Sequence, residues 1–188
     1  MDTEQLNRAL DSTRAVLATV QPGQLTAPTP CVSWDVRALI DHFTGSVRWA
    51  TATITAEAIT GEATITGGAA GDFLAVYDVA IRSALVAFGA DGALTRTLSL
   101  PFGQFSGADL LELVAREQFI HGWDLAKAIG YHTELGPALA SELLAGARTA
   151  GLDAFRGADG VAFFGPAVVP PPGAGPADQL AAFLGRQV

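Results

Sequence analysis

Three side chains have the types and spacing of a metal site. Glu117 and His121 lie four residues apart in EQFIHGWD, which on a helix places them on one face, about one turn apart. Together they can offer an oxygen and a nitrogen to one divalent ion, and a third ligand from another helix would leave coordination positions open. His42, in VRALIDHF, is the candidate third ligand. The alternative is that both histidines are ordinary, partly buried side chains held by hydrogen bonds, and spacing alone does not separate the two interpretations.

Polar residues next to this pair are candidates for supporting roles. Asp124, three residues beyond His121, either orients the imidazole from behind or pairs with Lys127 on the helix surface. Gln118 is a candidate hydrogen-bond partner of a bound ligand. Arg116 is a candidate partner of a substrate carboxylate.

Other reactive or aromatic residues have simpler expected roles. Cys31 precedes a predicted helix start, where the helix dipole could stabilise a thiolate, but a small packed apolar side chain is the favoured interpretation. Trp34 and Trp123 are expected to be core anchors. His132 follows the end of a predicted helix and is expected to be a loop residue outside the metal site.

Hydrophobic periodicity and capping residues predict the helices that must position these groups. Ser33 is the expected N-cap of the second helix, with Asp35 in its first turn, and Ser106 opens the fourth helix, which Gly130 ends. The segment 94–105 reads as a loop that could include a short strand. The predicted helices cover about 3–20, 33–59, 72–88, 106–130, 137–155 and 178–184.

The pattern indicates an all-α protein. Four long helices joined by moderate loops, with no alternation of strands and helices, predict a helical bundle, in which ligand sites lie between facing helices. We expect 1–156 to form the bundle with the metal site. We expect 157–188, a Gly/Pro-rich segment with a short C-terminal helix, to pack on the same domain.

Composition restricts the partners. The chain of 188 residues has 11 Lys and Arg against 19 Asp and Glu, a net charge of −8, which argues against binding to nucleic acid or an anionic membrane. One cysteine excludes an internal disulfide, and the polar, acidic start lacks the features of a secretory signal. We therefore expect a cytoplasmic protein, and the high apolar content favours a homodimer.

Three strings carry a family resemblance. TPCVSWDVRALIDHF, EQFIHGWDLAKAIG and the terminal LAAFLGR together resemble the mycothiol-dependent maleylpyruvate isomerase N-terminal domain family, within the DinB/YfiT-like superfamily of metal-dependent thiol transferases. The resemblance implies a DinB/YfiT-like four-helix bundle, here with an additional C-terminal helix and an irregular Gly/Pro-rich tail. It also implies a divalent metal, most often zinc or nickel, at the positions of His42, Glu117 and His121.

The resemblance also implies a chemistry. A thiol that enters an open coordination position loses its proton, and the thiolate attacks a small electrophile. The expected activity is a thiol-dependent transferase or isomerase, with a mycothiol-type thiol as cosubstrate. The alternative is a non-catalytic helical bundle that binds or senses a metal or small ligand.

Overall fold

The computed structural model describes residues 3–56, 73–101, 103–158 and 161–188, which form a helical bundle with one small hairpin. Within these residues lie six α-helices and two short antiparallel strands. The α-helices are α1 (Thr3–Leu17), α2 (Val36–Thr55), α3 (Phe73–Phe88), α4 (Gly107–Ile129), α5 (Pro137–Thr149) and α6 (Pro176–Phe183), and the strands are β1 (Thr97–Leu100) and β2 (Gly103–Ser106).

Helices α1 to α4 form the four-helix bundle, which confirms the predicted fold class. Phe43 of α2 packs against Tyr77 of α3 with ring centroids 5.2 Å apart, and Arg37 lies over the ring of Phe73. The earlier residue of α2 contacts the earlier residue of α3, and the later contacts the later, so the two helices run in the same direction. Helix α4 runs antiparallel to α2, because the end of α2 at Ile54 meets the start of α4 at Gly107.

Helix α4 is the central helix of the molecule. Its N-terminus has the predicted cap, since Ser106 Oγ accepts a hydrogen bond from the Asp109 amide and the Asp109 carboxylate accepts one from the Ser106 amide. It ends at Gly130, whose left-handed φ of 72° favours glycine. Thr13 Oγ1 of α1 donates to the Gln118 carbonyl at 2.6 Å. Contacts with α1, α2, α5 and α6 bury its second half almost all round.

Helix α2 begins and ends at residues other than those predicted. Its N-cap is Asp35, whose carboxylate accepts the Ala38 amide at 2.8 Å, so the predicted cap at Ser33 is wrong. The helix ends at Thr55 because Ala56 takes a left-handed conformation with φ 57°. The predicted continuation to 59 falls largely outside the described residues.

Other boundaries differ because tertiary packing and turns interrupt the periodic pattern. Helix α1 stops at Leu17, and α5 stops at Thr149, where a turn precedes a separate short 3₁₀ helix at Leu152–Phe155. The segment 94–105, predicted as a loop that could include a short strand, contains β1 and most of β2, which pair as an antiparallel hairpin. The cap predicted at residue 72 lies outside the described residues.

The C-terminal segment packs against α4 and α5 through α6. Trp123 is fully buried, and its indole Nε1 donates to Asp178 Oδ1 at 2.8 Å, which joins the start of α6 to the second half of α4. This places the last residues of the chain beside α4. Among the described residues, every helix is too short or too polar to cross a membrane.

Candidate metal centre

The three predicted ligands converge between α2 and α4. Glu117 Oε1 lies 3.1 Å from His42 Nε2 and 3.9 Å from His121 Nε2. One donor atom from each of the three side chains lies within 4.8 Å of the other two. Zinc bonds of about 2.0–2.1 Å in tetrahedral geometry separate ligand atoms by roughly 3.3 Å, so small side-chain rotations suffice. The residues therefore fit a divalent ion.

One edge of the cluster faces solvent. The His42 side chain is 37% exposed and Glu117 is 23% exposed, while His121 is 8% exposed. Trp34 lies against this edge, with its ring centroid 4.2 Å from that of His42 and 5.9 Å from that of His121. Trp34 is half-buried: it packs against the core, as predicted, but its exposed side also forms a wall of the site.

A chain of hydrogen bonds fixes Glu117 from behind. Its second oxygen, Oε2, accepts from Ser46 Oγ at 2.6 Å, and Ser46 Oγ accepts from Gln118 Nε2 at 3.0 Å. Gln118 Nε2 also donates to the Phe43 carbonyl, and Gln118 Oε1 accepts from Tyr77 at 2.7 Å. Gln118 is thus fully buried and engaged among three helices. The structure places it behind Glu117, away from where a ligand would bind.

The opposite side of His121 is held by a buried carboxylate. His121 Nδ1 lies 3.0 Å from Asp124 Oδ2, and Asp124 is fully buried. Arg186, from the C-terminal segment, contacts both oxygens of Asp124, with Nε at 3.2 Å from Oδ1 and Nη2 at 2.9 Å from Oδ2. Cys31 Sγ also donates to Oδ2, at 3.3 Å. These contacts favour the orienting role of Asp124 over a surface pair with Lys127.

Burial and neighbouring charges set the protonation states. Burial lowers the pKa of His121 despite Asp124, so the ring is neutral at pH 7. Its proton then lies on Nδ1, where Asp124 accepts it, and the Nε2 lone pair faces the cluster. Burial would raise the pKa of Glu117, but the hydrogen bond from His42, the attraction that the two imidazoles exert when protonated and the hydrogen bond from Ser46 bring it below its usual value. The Arg186 charge overcomes burial at Asp124 and lowers its pKa to about 2.

Comparison with known proteins identifies the family. The family model for the mycothiol maleylpyruvate isomerase N-terminal domain matches residues 6–126, which include His42, Glu117 and His121. The chain belongs to this family. Two uncharacterized proteins of Mycobacterium tuberculosis, MT0763 of strain CDC 1551 and Rv0738 of strain H37Rv, are each 38% identical over 185 residues, covering 96% of this chain and 95% of theirs. No solved structure matches the chain significantly.

Arg116 and His132 lie outside the candidate centre, and Cys31 has different neighbours from those predicted. Arg116 precedes Glu117 but points about 100° round the helix, where it pairs with Glu112 at 3.4 Å beside a cavity of about 390 Å³ toward α5. His132 is exposed and stacks on its neighbour Tyr131, outside the cluster. Cys31 contacts charged groups, in contrast to the packed apolar side chain that we expected.

Three residues of the centre were missed by sequence reasoning. Ser46 lies four residues after His42 on α2, so helical spacing could have indicated it. Trp34 lies in the loop before α2, and Arg186 lies 62 residues beyond its partner Asp124. The matched span of the mycothiol maleylpyruvate isomerase N-terminal domain family ends at residue 126, before Arg186. The spacing of residues carries no signal for either Trp34 or Arg186, but both lie in strings that carry the family resemblance, TPCVSWDVRALIDHF and LAAFLGR.

Proposed function

We propose that His42, Glu117 and His121 bind one divalent ion, zinc or nickel, and that the protein is a thiol-dependent transferase or isomerase of small electrophiles. One observation carries the proposal: two imidazoles and one carboxylate from two helices converge within 4.8 Å, with one edge exposed. Two imidazoles and one carboxylate are the ligand set of several catalytic zinc sites, which keep a position open for substrate. Family membership supports a mycothiol-type thiol as cosubstrate.

The surroundings of the cluster suit this chemistry. A divalent ion bound there would stabilise the thiolate form of an incoming thiol at neutral pH. Ser46 and Asp124 hold Glu117 and His121 in fixed orientations, which reduces the cost of binding the ion. Trp34 offers an aromatic surface beside the exposed edge, against which the apolar part of an electrophile could pack.

The reactive thiol would come from the cosubstrate. The Cys31 Sγ contacts Asp124 and Arg186 on the Nδ1 side of His121, whereas the exposed His42 and Glu117 lie on its Nε2 side. The chain therefore supplies orientation and ligands, and the substrate pair supplies the nucleophile and the electrophile.

Metal analysis tests the binding site. We expect about one divalent ion per chain in the purified protein, and loss of that ion in His42→Ala and Glu117→Ala. His132→Ala is the matched control, because His132 is exposed and lies outside the cluster. Full metal content in either cluster variant would remove that residue from the site. Loss in the control as well would show that the variants act through a general effect.

Turnover tests the reaction. The metal-loaded protein is incubated with mycothiol or another small thiol and an electrophile such as a chlorodinitrobenzene or a conjugated cis-diacid. We expect a rate above that of the thiol alone, lost in Glu117→Ala and retained in His132→Ala. A rate equal to that of the free thiol, across several thiols, would instead support a non-catalytic binding protein.

A further inference from the structure

His121 stands between two groups of potential metal ligands. Its Nε2 faces His42 and Glu117, and its Nδ1 faces Asp124 and Cys31. This second group consists of Cys31, His121 and Asp124, and one donor atom from each of these side chains lies within 4.8 Å of the other two. A thiolate, an imidazole and a carboxylate suit zinc and similar ions at least as well as the first group does. The donor atoms alone therefore do not determine whether His121 would bind a metal ion through Nε2 or through Nδ1.

A positive charge already occupies the second group. The guanidinium of Arg186 has Nη2 at 2.9 Å from Asp124 Oδ2 and 3.6 Å from Cys31 Sγ. Its side chain is only 10% exposed. A guanidinium stays charged at all accessible pH values, so it repels a second cation at this distance. Its Nη2 also bonds Asp124 Oδ2, the same oxygen that contacts His121 Nδ1 and Cys31 Sγ and that a bound ion would use.

The backbone of the C-terminal segment holds Arg186 in this position. Gly185 has a left-handed φ of 92°, and a Cβ there would lie 2.7 Å from the Cα of Gly165, so the turn requires glycine. The Arg186 amide donates to the Ala181 carbonyl, and its Nη1 donates to the Leu184 carbonyl at 2.9 Å. The guanidinium is thus directed at Asp124 by a turn that packs against another part of the chain.

We propose that Arg186 is the resident cation of the second group and thereby a positioning residue of the metal centre. It excludes a divalent ion from Cys31 and Asp124, and it holds Asp124 as acceptor of the Nδ1 proton, so that His121 binds metal only through Nε2. The assignment of the Nε2 side as the functional metal site rests on the proposed function. The exclusion of metal from the Nδ1 side rests on the contacts of Arg186 alone.

Cobalt titration tests this exclusion, because a cobalt–thiolate bond has a charge-transfer absorption in the near ultraviolet. With Co²⁺ alone as the probe, we expect no such band in the wild type. Arg186→Gln should gain it as Cys31 releases its thiol proton to solvent and binds the ion. The band should disappear in Arg186→Gln combined with Cys31→Ser. Arg186→Lys, which retains a positive charge, should give no band.

Arg156→Gln is the matched control. Arg156 also lies in the C-terminal segment and donates to two backbone carbonyls, those of Gly165 and Phe183, but it does not contact the second group. A band in this control would attribute the effect to general loosening of the segment and overturn the proposal. A thiolate band in the wild type, or none in folded Arg186→Gln, would overturn it as well.

Nitrogen NMR of the apo wild type gives a readout that needs no variant. The proposal expects the neutral His121 ring to carry its proton on Nδ1, and a proton on Nε2 would overturn it. The two proposals also fail separately. If the wild type binds no Co²⁺, the proposed function fails, whereas a thiolate band in Arg186→Gln would still support the exclusion by Arg186.

Discussion

Replacement of Gln118 by leucine tests whether this side chain joins helices or contacts a ligand. In the structure its amide links α2, α3 and α4: Oε1 accepts from Tyr77 at 2.7 Å, and Nε2 donates to the Phe43 carbonyl and to Ser46. Gln118 and Tyr77 are both fully buried. Leucine fills a similar volume without any polar atom, so the change removes the hydrogen bonds and leaves the packing largely intact.

The expected cost follows from the partners that leucine would leave behind. The Tyr77 hydroxyl would lose Gln118 as its acceptor and keep only its hydrogen-bond contact with Thr13, and Ser46 would lose its donor. Each buried polar group that loses a partner costs about 1–3 kcal/mol, so for these two groups we expect the free energy of unfolding to fall by about 2–6 kcal/mol. For a chain of this size, each kcal/mol lowers Tm by about 2–4 °C, which predicts a decrease of roughly 4–24 °C.

Urea unfolding of a double-mutant cycle measures this coupling. Tyr77→Phe removes the hydroxyl and leaves Gln118 Oε1 without its donor, so it should cost about 1–3 kcal/mol by itself. In the double variant neither the Tyr77 hydroxyl nor the Gln118 amide remains, so the total cost should be smaller than the sum of the two single costs by about 1 kcal/mol or more. The cycle therefore isolates the Tyr77–Gln118 hydrogen bond.

Two results would refute the structural role of Gln118. One is a Gln118→Leu protein whose unfolding free energy lies within about 0.5 kcal/mol of the wild type, as expected for a side chain exposed to a ligand. The other is strict additivity of the two single variants, which would mean that the hydroxyl and the amide do not interact.

Two further predictions concern α4 and its buried carboxylate. Gly122→Ala should lower the urea midpoint of unfolding, because the new Cβ would lie 2.6 Å from Thr13 Oγ1. Overpacking of about 1–3 kcal/mol outweighs the roughly 1 kcal/mol that alanine adds through helix propensity. The loss should be smaller in a Thr13→Ala background, and an unchanged midpoint would contradict the close approach of α1 and α4. The pKa of Asp124 is about 2 against a usual 3.8, so its ionised carboxylate stabilises the folded protein fully above about pH 4, and this stabilisation is lost as the pH falls toward 2. The difference in unfolding free energy between the wild type and Asp124→Asn should therefore shrink by about 1 kcal/mol or more from pH 5 to pH 3. A constant difference would contradict this pKa.

Local sequence determined the helices and several of their ends. The Ser106–Asp109 cap and Gly130 were predictable because capping depends on residues three or four positions apart, as does the placement of Glu117 and His121 on one face. The helical pattern predicted an all-α bundle and the family strings added its DinB/YfiT-like type, with which the structure agrees. The N-cap of α2 was misassigned because Ser33 and Asp35 are both good caps, and only the path of the preceding loop selects one.

Tertiary structure alone decided the surroundings of the candidate centre. Three contacts depend on the packing of segments that are far apart in sequence: His42 with Glu117, Gln118 with Tyr77, and Arg186 with Asp124. Periodicity shows which face of a helix is apolar, but it does not show which helix will lie against that face or at what height. The partners of buried polar groups are fixed by that packing, so the sequence supplied the types of the candidate ligands and the fold supplied their neighbours.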